Sequence, residues 1–474
     1  MAGIGFKLEK ILSRNSYLNL LEGYLYSTMV SAGPIIATIF SIGVITFIAM
    51  GEINRIDIVI FRTLVVYIYA ISLIVSSSSQ MIITRYMADR IFLKDYQALV
   101  PAYAGITIFS ILIYLVIGII GCQFIHLDLR SEIVAVVLLI TIGTIWIAMI
   151  ALSAAKEFQR IARSFMYGAI VSVVAAYYLG IYLGIFGLLT GFTMGMVLLA
   201  ALLSVQIFNE FPYRHKLEFY FLSYFKQFPE LAFIATLFNI GVWADKFVFW
   251  ASPVTRDHIH GSLYASYTYD VPVFLAYLFI IPSLAMFTIR IETSFYVAYK
   301  KYYLAILHNH PFFSLEERRK NIIEVLKLSL GRMIAFQGTI TIVGIIAAPA
   351  IYEWLGMSAI NLGIFQISIL STFLLSLMLA LLILMLYFDY RLDALFMSAC
   401  FAVTNIFFSM ISIKLGFSYY GFGYFFSTLC SLVVGFLLFN YRLYSLHYYT
   451  FVRQRVVVHE EALTTEERGA ISLK

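Results

Sequence analysis

Residues 31–90 read SAGPIIATIFSIGVITFIAMGEINRIDIVIFRTLVVYIYAISLIVSSSSQMIITRYMADR. Two apolar runs, about 26–50 and 58–82, each supply the roughly 20 residues that cross a hydrocarbon core as helix. A short polar turn with Arg55 separates them, and Arg85, Arg90 and Lys94 follow the second. Apolar runs with basic residues gathered at one end are the pattern of a membrane hairpin whose basic end faces the cytoplasm.

The same pattern continues along the chain. Ten more apolar stretches fall at about 98–125, 131–154, 164–183, 185–208, 228–252, 264–290, 333–354, 360–387, 393–413 and 419–441. Spans five and six are parted by almost nothing around Gly184. Of the 32 Lys and Arg residues, 25 lie in segments that an inside N-terminus makes cytoplasmic, and four (Arg55, Arg130, Arg256, Lys414) lie outside. The expectation is an all-α integral membrane protein of 12 transmembrane helices with both termini cytoplasmic. Composition agrees: 62% of the 474 residues are hydrophobic and 12% charged, too little charge for a water-exposed surface. The net charge of +6 is small for nucleic-acid binding, and Cys122, Cys400 and Cys430 form no disulfide framework.

A polar loop, 209–227, divides six spans from six, the layout of transporters built from two parallel halves. The expected units are a first six-helix lobe (1–208), this cytoplasmic linker, and a second lobe (228–441). A cytoplasmic tail follows at 442–474. Within the second lobe, 291–332 reads as a cytoplasmic amphipathic helix, opened at capping-box spacing by Ser314 and Glu317. It is expected to lie on the inner leaflet or to dock a cytoplasmic partner.

No phosphate loop, HExxH or other catalytic motif is present, so a non-enzyme needing no cofactor or metal is expected. Gly187, Gly191 and Gly195 at four-residue spacing read as helix packing rather than a nucleotide site. His258 and His260 read as loop residues. Ionisable residues inside spans are costly and mark candidate functional positions. These are Arg62 in span two, Asp245 and Lys246 in span seven, and Asp270 in span eight. Neighbours diverge by about 100° around a helix, so Asp245 and Lys246 are expected not to pair only with each other. Tyr67 and Tyr69 lie deep in span two and offer flat faces and hydroxyls suited to sugars. Four consecutive serines, Ser76–Ser79, are expected to bond back to their own helix. Pro34, Pro272 and Pro282 are candidate hinges.

The opening MAGIGFKLEKIL, SAGP at 31–34, TRYMADR at 84–90 and ADKFVFW at 244–250 together resemble the PelG family. Its members are inner-membrane transporters of bacterial Pel-type exopolysaccharide systems, in the superfamily of multidrug exporters and polysaccharide flippases. The resemblance runs to about residue 440. It implies two six-helix lobes around a central cavity lined by spans one, two, seven and eight, which hold Arg62, Asp245, Lys246 and Asp270. It also implies an amino-sugar polymer as substrate, with a cytoplasmic glycosyltransferase and other membrane subunits as partners. The leading expectation is export of this polymer across the inner membrane. An ion-coupled small-molecule exporter using Asp245 or Asp270 is the alternative. A membrane-embedded glycosyltransferase is disfavoured by the lack of a DxD or QxxRW signature. Lys246→Ala or Arg62→Ala is expected to reduce export without lowering the amount of protein.

Overall fold

A computed structural model describes residues 38–153, 158–212, 217–290 and 294–452. Pro34 and the tail beyond residue 452 lie outside the described residues. Ten helices among the described residues are long and apolar enough to cross a membrane. A shorter apolar helix, α1 (Thr38–Ala49), precedes them.

The first half continues with α2 (Arg55–Phe92), α3 (Leu99–Ile125), α4 (Leu129–Ser153) and α5 (Phe158–Glu210). Gly184 interrupts α5 with φ 57° and ψ −134°, a left-handed turn that glycine adopts without a Cβ clash. There the chain folds back on itself. The Ser172 hydroxyl donates to the Phe192 carbonyl across the hairpin, and Gln206 Nε2 reaches Ser164 Oγ at 2.7 Å. A methyl group at Gly187 would overlap the Leu179 carbonyl oxygen, one at Gly191 the Ala176 nitrogen, and one at Gly195 Ser172. The GxxxGxxxG stripe lets two backbones touch, as its spacing predicts. Asp57 accepts the Ile185 backbone N–H and ties the turn to the start of α2.

The linker leads through α6 (Phe221–Gln227) to α7 (Pro229–Ala251), which has proline at its first helical position. A two-stranded hairpin, β1 (Asp257–His260) and β2 (Leu263–Ala265), follows. This is a departure from the purely helical expectation. Gly261, at φ +53°, supplies the turn, and Gly-Ser between two short runs is a hairpin signal. Beyond it come α8 (Tyr267–Tyr277) and α9 (Ile281–Arg290), joined by a 3-10 turn at Leu278–Ile280. Span eight therefore breaks immediately before Pro282, whereas Pro272 is accommodated inside α8.

Two side-chain amides bond carbonyls near prolines. Pro349 lacks the N–H that would bond Ile345, and Gln366 Nε2 donates to that carbonyl at 3.2 Å. Gln337, fully buried, donates to the Phe279 carbonyl at 2.7 Å beside the break in span eight. Such repair is what low-dielectric surroundings demand of freed backbone groups.

Helices α10 (Tyr296–Leu307) and α11 (Phe312–Trp354) form an antiparallel pair. The charged segment from Ser314 is continuous with the apolar helix after it. At 43 residues, α11 is about 65 Å long, twice the hydrocarbon thickness. Its charged first half and apolar second half thus form one continuous helix rather than two separate elements. The remaining helices are α12 (Leu362–Tyr387), α13 (Arg391–Leu415), α14 (Phe422–Tyr444) and α15 (Leu446–Phe451).

Short α15 is pinned against the base of α11. Glu316 accepts 2.7 and 2.8 Å hydrogen bonds from Arg319 and one of 2.9 Å from His447 Nε2, while Tyr302 meets His447 Nδ1 at 3.0 Å. The Arg319 guanidinium holds the Glu316 carboxyl down at about 2, with help from His447. A lowered carboxyl pKa adds stability above the ordinary value near 4.5 and loses it as pH falls towards about 2. Glu316→Gln removes the ionic contribution at neutral pH, about 1 kcal/mol for so exposed a network. Hydrogen exchange of Leu446–Phe451 is expected to rise roughly fivefold, a change read by mass spectrometry.

Candidate functional site

The two halves meet along a seam between α2 and α7, which run antiparallel. At the end nearest the β1–β2 hairpin the Tyr67 ring stacks on Trp250, with centroids 4.5 Å apart. Midway, Ser77 Oγ approaches Thr236 Oγ1 at 3.3 Å. At the opposite end the Tyr86 hydroxyl meets Glu218 and the Tyr224 hydroxyl meets Asp89, each at 3.2 Å. A Cβ at Gly105 would collide with the Glu218 carbonyl, so that glycine lets the linker lie against α3.

The hairpin end of the seam gathers three of the expected residues. Arg62 lies over the Tyr267 ring at 4.8 Å, and Tyr267 also meets Thr63 Oγ1 at 3.1 Å. The Tyr67 hydroxyl donates to the Tyr264 carbonyl of β2 at 2.9 Å. Asp270 accepts from Trp250 Nε1 at 2.8 Å and from the Ser266 backbone N–H at 2.9 Å. Its second oxygen, Oδ1, is buried without a hydrogen-bond partner. Trp250 therefore has the Asp270 carboxylate at its edge and the first half's Tyr67 on its face. The hairpin covers this group, and there the Ser262 N–H bonds the Phe124 carbonyl and His260 bonds that of His126. His258 turns to Gly261 instead, and no cluster of three metal-ligating side chains occurs among the described residues.

Asp245 and Lys246 sit off the seam, inside the second half. They are 0% and 1% exposed, and Lys246 Nζ lies 2.9 Å from Asp245 Oδ2. The 100° divergence of neighbours does not part them, because the long lysine side chain curls back to its own helix and donates to Val242 O at 3.0 Å. Other partners are the hydroxyls of Tyr269, donating to Asp245 at 2.6 Å, and Tyr277, accepting from Lys246. Asn405 approaches Asp245 at 3.5 Å. Among the described residues, every partner of the pair comes from the second half. Complete burial also alters the expectation for Lys246→Ala, which strands a buried carboxylate and must lower stability as well as any activity.

Tyr69 likewise leaves the seam. It is two residues from Tyr67, about 200° around the helix, and faces the interior of the first half. Its hydroxyl accepts from Thr38 at 2.9 Å and its ring meets Trp146 edge-on. Together they line a small, mostly apolar cavity with Met196 and Phe165. Ser76, Ser77 and Ser78 bond back to carbonyls three residues earlier, as expected.

Sequence reasoning missed Trp250, Tyr264, Tyr267, Tyr269, Tyr277, Tyr424 and Asn405. One signal for Asn405 was available, an amide alone in the apolar run of span eleven. The tyrosines were hidden among the 34 of the chain.

The fold, with its paired halves, is shared with solved membrane transporters. Similar solved structures include an outward-facing multidrug-resistance MATE family transporter of the MOP superfamily. It has a TM-score of 0.64 and 14% identity, with 90% of this chain and 96% of that one covered. A MATE protein in the straight conformation matches with TM-score 0.63, 12% identity and the same coverages. A MOP superfamily transporter from Pyrococcus furiosus, described as having a binding pocket of reversed polarity, matches with TM-score 0.61 and 14% identity, again over 90% and 96%. No curated protein matches the chain. The PelG family of exopolysaccharide exporters (EPS-E) matches residues 1–451, and the chain belongs to that family. It is a multi-pass membrane protein of an exporter family.

Proposed function

We propose that this protein exports a Pel-like amino-sugar exopolysaccharide across the bacterial inner membrane, through a cavity opened when its two halves part along the α2–α7 seam. The match to an exporter family over nearly the whole chain carries this reading. Twelve spans with cytoplasmic termini belong to it. They are supported by the ten long helices, the fold-back of one of them at Gly184, and α1. Arg62, Tyr67, Trp250 and Asp270 form the outer part of the substrate path. Aromatic faces there suit sugar rings, and the guanidinium and carboxylate suit hydroxyl and amino groups. The Asp245–Lys246 pair holds the second half together beside that path, and the break before Pro282 supplies a hinge.

A cytoplasmic glycosyltransferase is the partner in this reading. The α10–α11 pair extends towards it and exposes Leu307, Phe312 and Phe313 near Lys300 and Lys301. Deleting the protein from a polymer-producing bacterium is expected to abolish surface polysaccharide while synthase activity persists in extracts. Unchanged secretion would overturn the proposal. Drug efflux lost in Asp245→Asn, with polymer unaffected, would instead support the ion-coupled small-molecule exporter.

A further inference from the structure

Lys246 Nζ occupies a shell built almost wholly of oxygen and aromatic faces. It donates to the Val242 carbonyl at 3.0 Å, to Asp245 Oδ1 at 3.0 Å and to the Tyr277 hydroxyl. Asp245 Oδ2 lies 2.9 Å away. The rings of Tyr277 and Tyr424 each face the ammonium, with centroids 4.7 Å distant. Carboxylate, carbonyl and hydroxyl oxygens are the ligands that hard cations take, and aromatic faces stabilise a desolvated positive charge further. Surrounding groups hold the carboxylate in place. Tyr269 donates to it, and Asn405 is itself anchored by a 2.7 Å bond to the Gly241 carbonyl.

We propose that this is a monovalent-cation site permanently filled by the protein's own lysine. The normal protein therefore takes up no soluble cation there, and removing the ammonium opens the site to sodium or potassium. Truncating Lys246 to alanine deletes four heavy atoms together with their charge. It leaves Asp245 as a buried anion with a carbonyl, a hydroxyl and two rings around the vacated space. A dehydrated alkali ion matches that charge and ligand set, whereas a bulky quaternary ammonium does not fit the space. This inference does not depend on what the transporter carries. It concerns how the second half balances its buried charge.

The test is thermal unfolding of purified protein in lithium, sodium, potassium or choline chloride at matched ionic strength. Wild type is expected to unfold at one temperature in all four salts. Lys246→Ala is expected to be least stable in choline and to gain several degrees in sodium or potassium. Asp245→Asn/Lys246→Ala, which lacks the anion, is expected to show no cation dependence. The proposal is overturned if Lys246→Ala behaves alike in every salt, or if the double variant keeps the dependence. It is equally overturned if wild type responds as strongly as Lys246→Ala, or if no folded Lys246→Ala is recovered in any of the salts.

Discussion

Replacing Asp245 by alanine is expected to lower the unfolding free energy by about 3–5 kcal/mol, the cost of stranding one member of a buried ion pair. Whole proteins are stable by only about 5–15 kcal/mol, so this single change removes a third or more of the total. The size follows from the burial. Lys246 is 1% exposed and has no route to water, so its charge stays in the interior or is neutralised there. Asp245→Asn keeps the shape and a partner for Tyr269 but still leaves the ammonium without its counter-charge. The double variant Asp245→Asn/Lys246→Met removes both charges with little change in volume and is expected to recover most of the loss. Thermal unfolding of wild type, Asp245→Asn, Lys246→Met and the double variant forms a double-mutant cycle. A coupling of about 2 kcal/mol or more between the positions is the expected result. Additive effects would show that the two residues do not act as a pair.

Gly187→Leu is expected to have an effect of similar size for a different reason. Filling a packed core with extra methylenes costs about 1–3 kcal/mol when side chains can shift. At Gly187 the obstacle is the Leu179–Gly180 backbone of the same hairpin, which cannot shift without parting the two helices. The hydrogen bonds from Ser172 and Gln206 that cross the hairpin would separate with it. Little folded protein is expected, read as the fraction recovered in a monodisperse peak by size-exclusion chromatography. Gly338→Leu, on a face of α11 where an added Cβ meets nothing within 4 Å, is expected to be recovered like wild type.

These two sites also mark where sequence is informative. Gly184 and the stripe after it announced a tight turn and a close helix contact, because only glycine permits either. The membrane helices and the linker were legible for an equally simple reason: hydrocarbon leaves little choice about where charge sits. Side-chain direction was another matter. Tyr67 and Tyr69 look equivalent in a string of apolar residues, yet one reaches the seam and the other the interior of the first half. Asp245 and Lys246 were correctly singled out as costly, but the curl of a lysine stem back to Val242 depends on neighbours from three other helices. Trp250 was invisible as a site because its role comes from Tyr67 and Asp270, which are distant in the chain. Gln337 and Gln366 read as ordinary polar residues until the carbonyls near Pro282 and Pro349 are seen next to them.

Export by parting of the two halves is tested most directly by tying the seam shut. Ser77 and Thr236 bring their hydroxyl oxygens within 3.3 Å across it, so cysteines there are placed for a disulfide. Surface polysaccharide is to be measured in cells that carry Ser77→Cys/Thr236→Cys as their sole copy, under oxidant and again after reductant. The expected result is export that stops on cross-linking and returns on reduction, with each single-cysteine variant unaffected. Normal export from a fully cross-linked protein would contradict passage between separating halves.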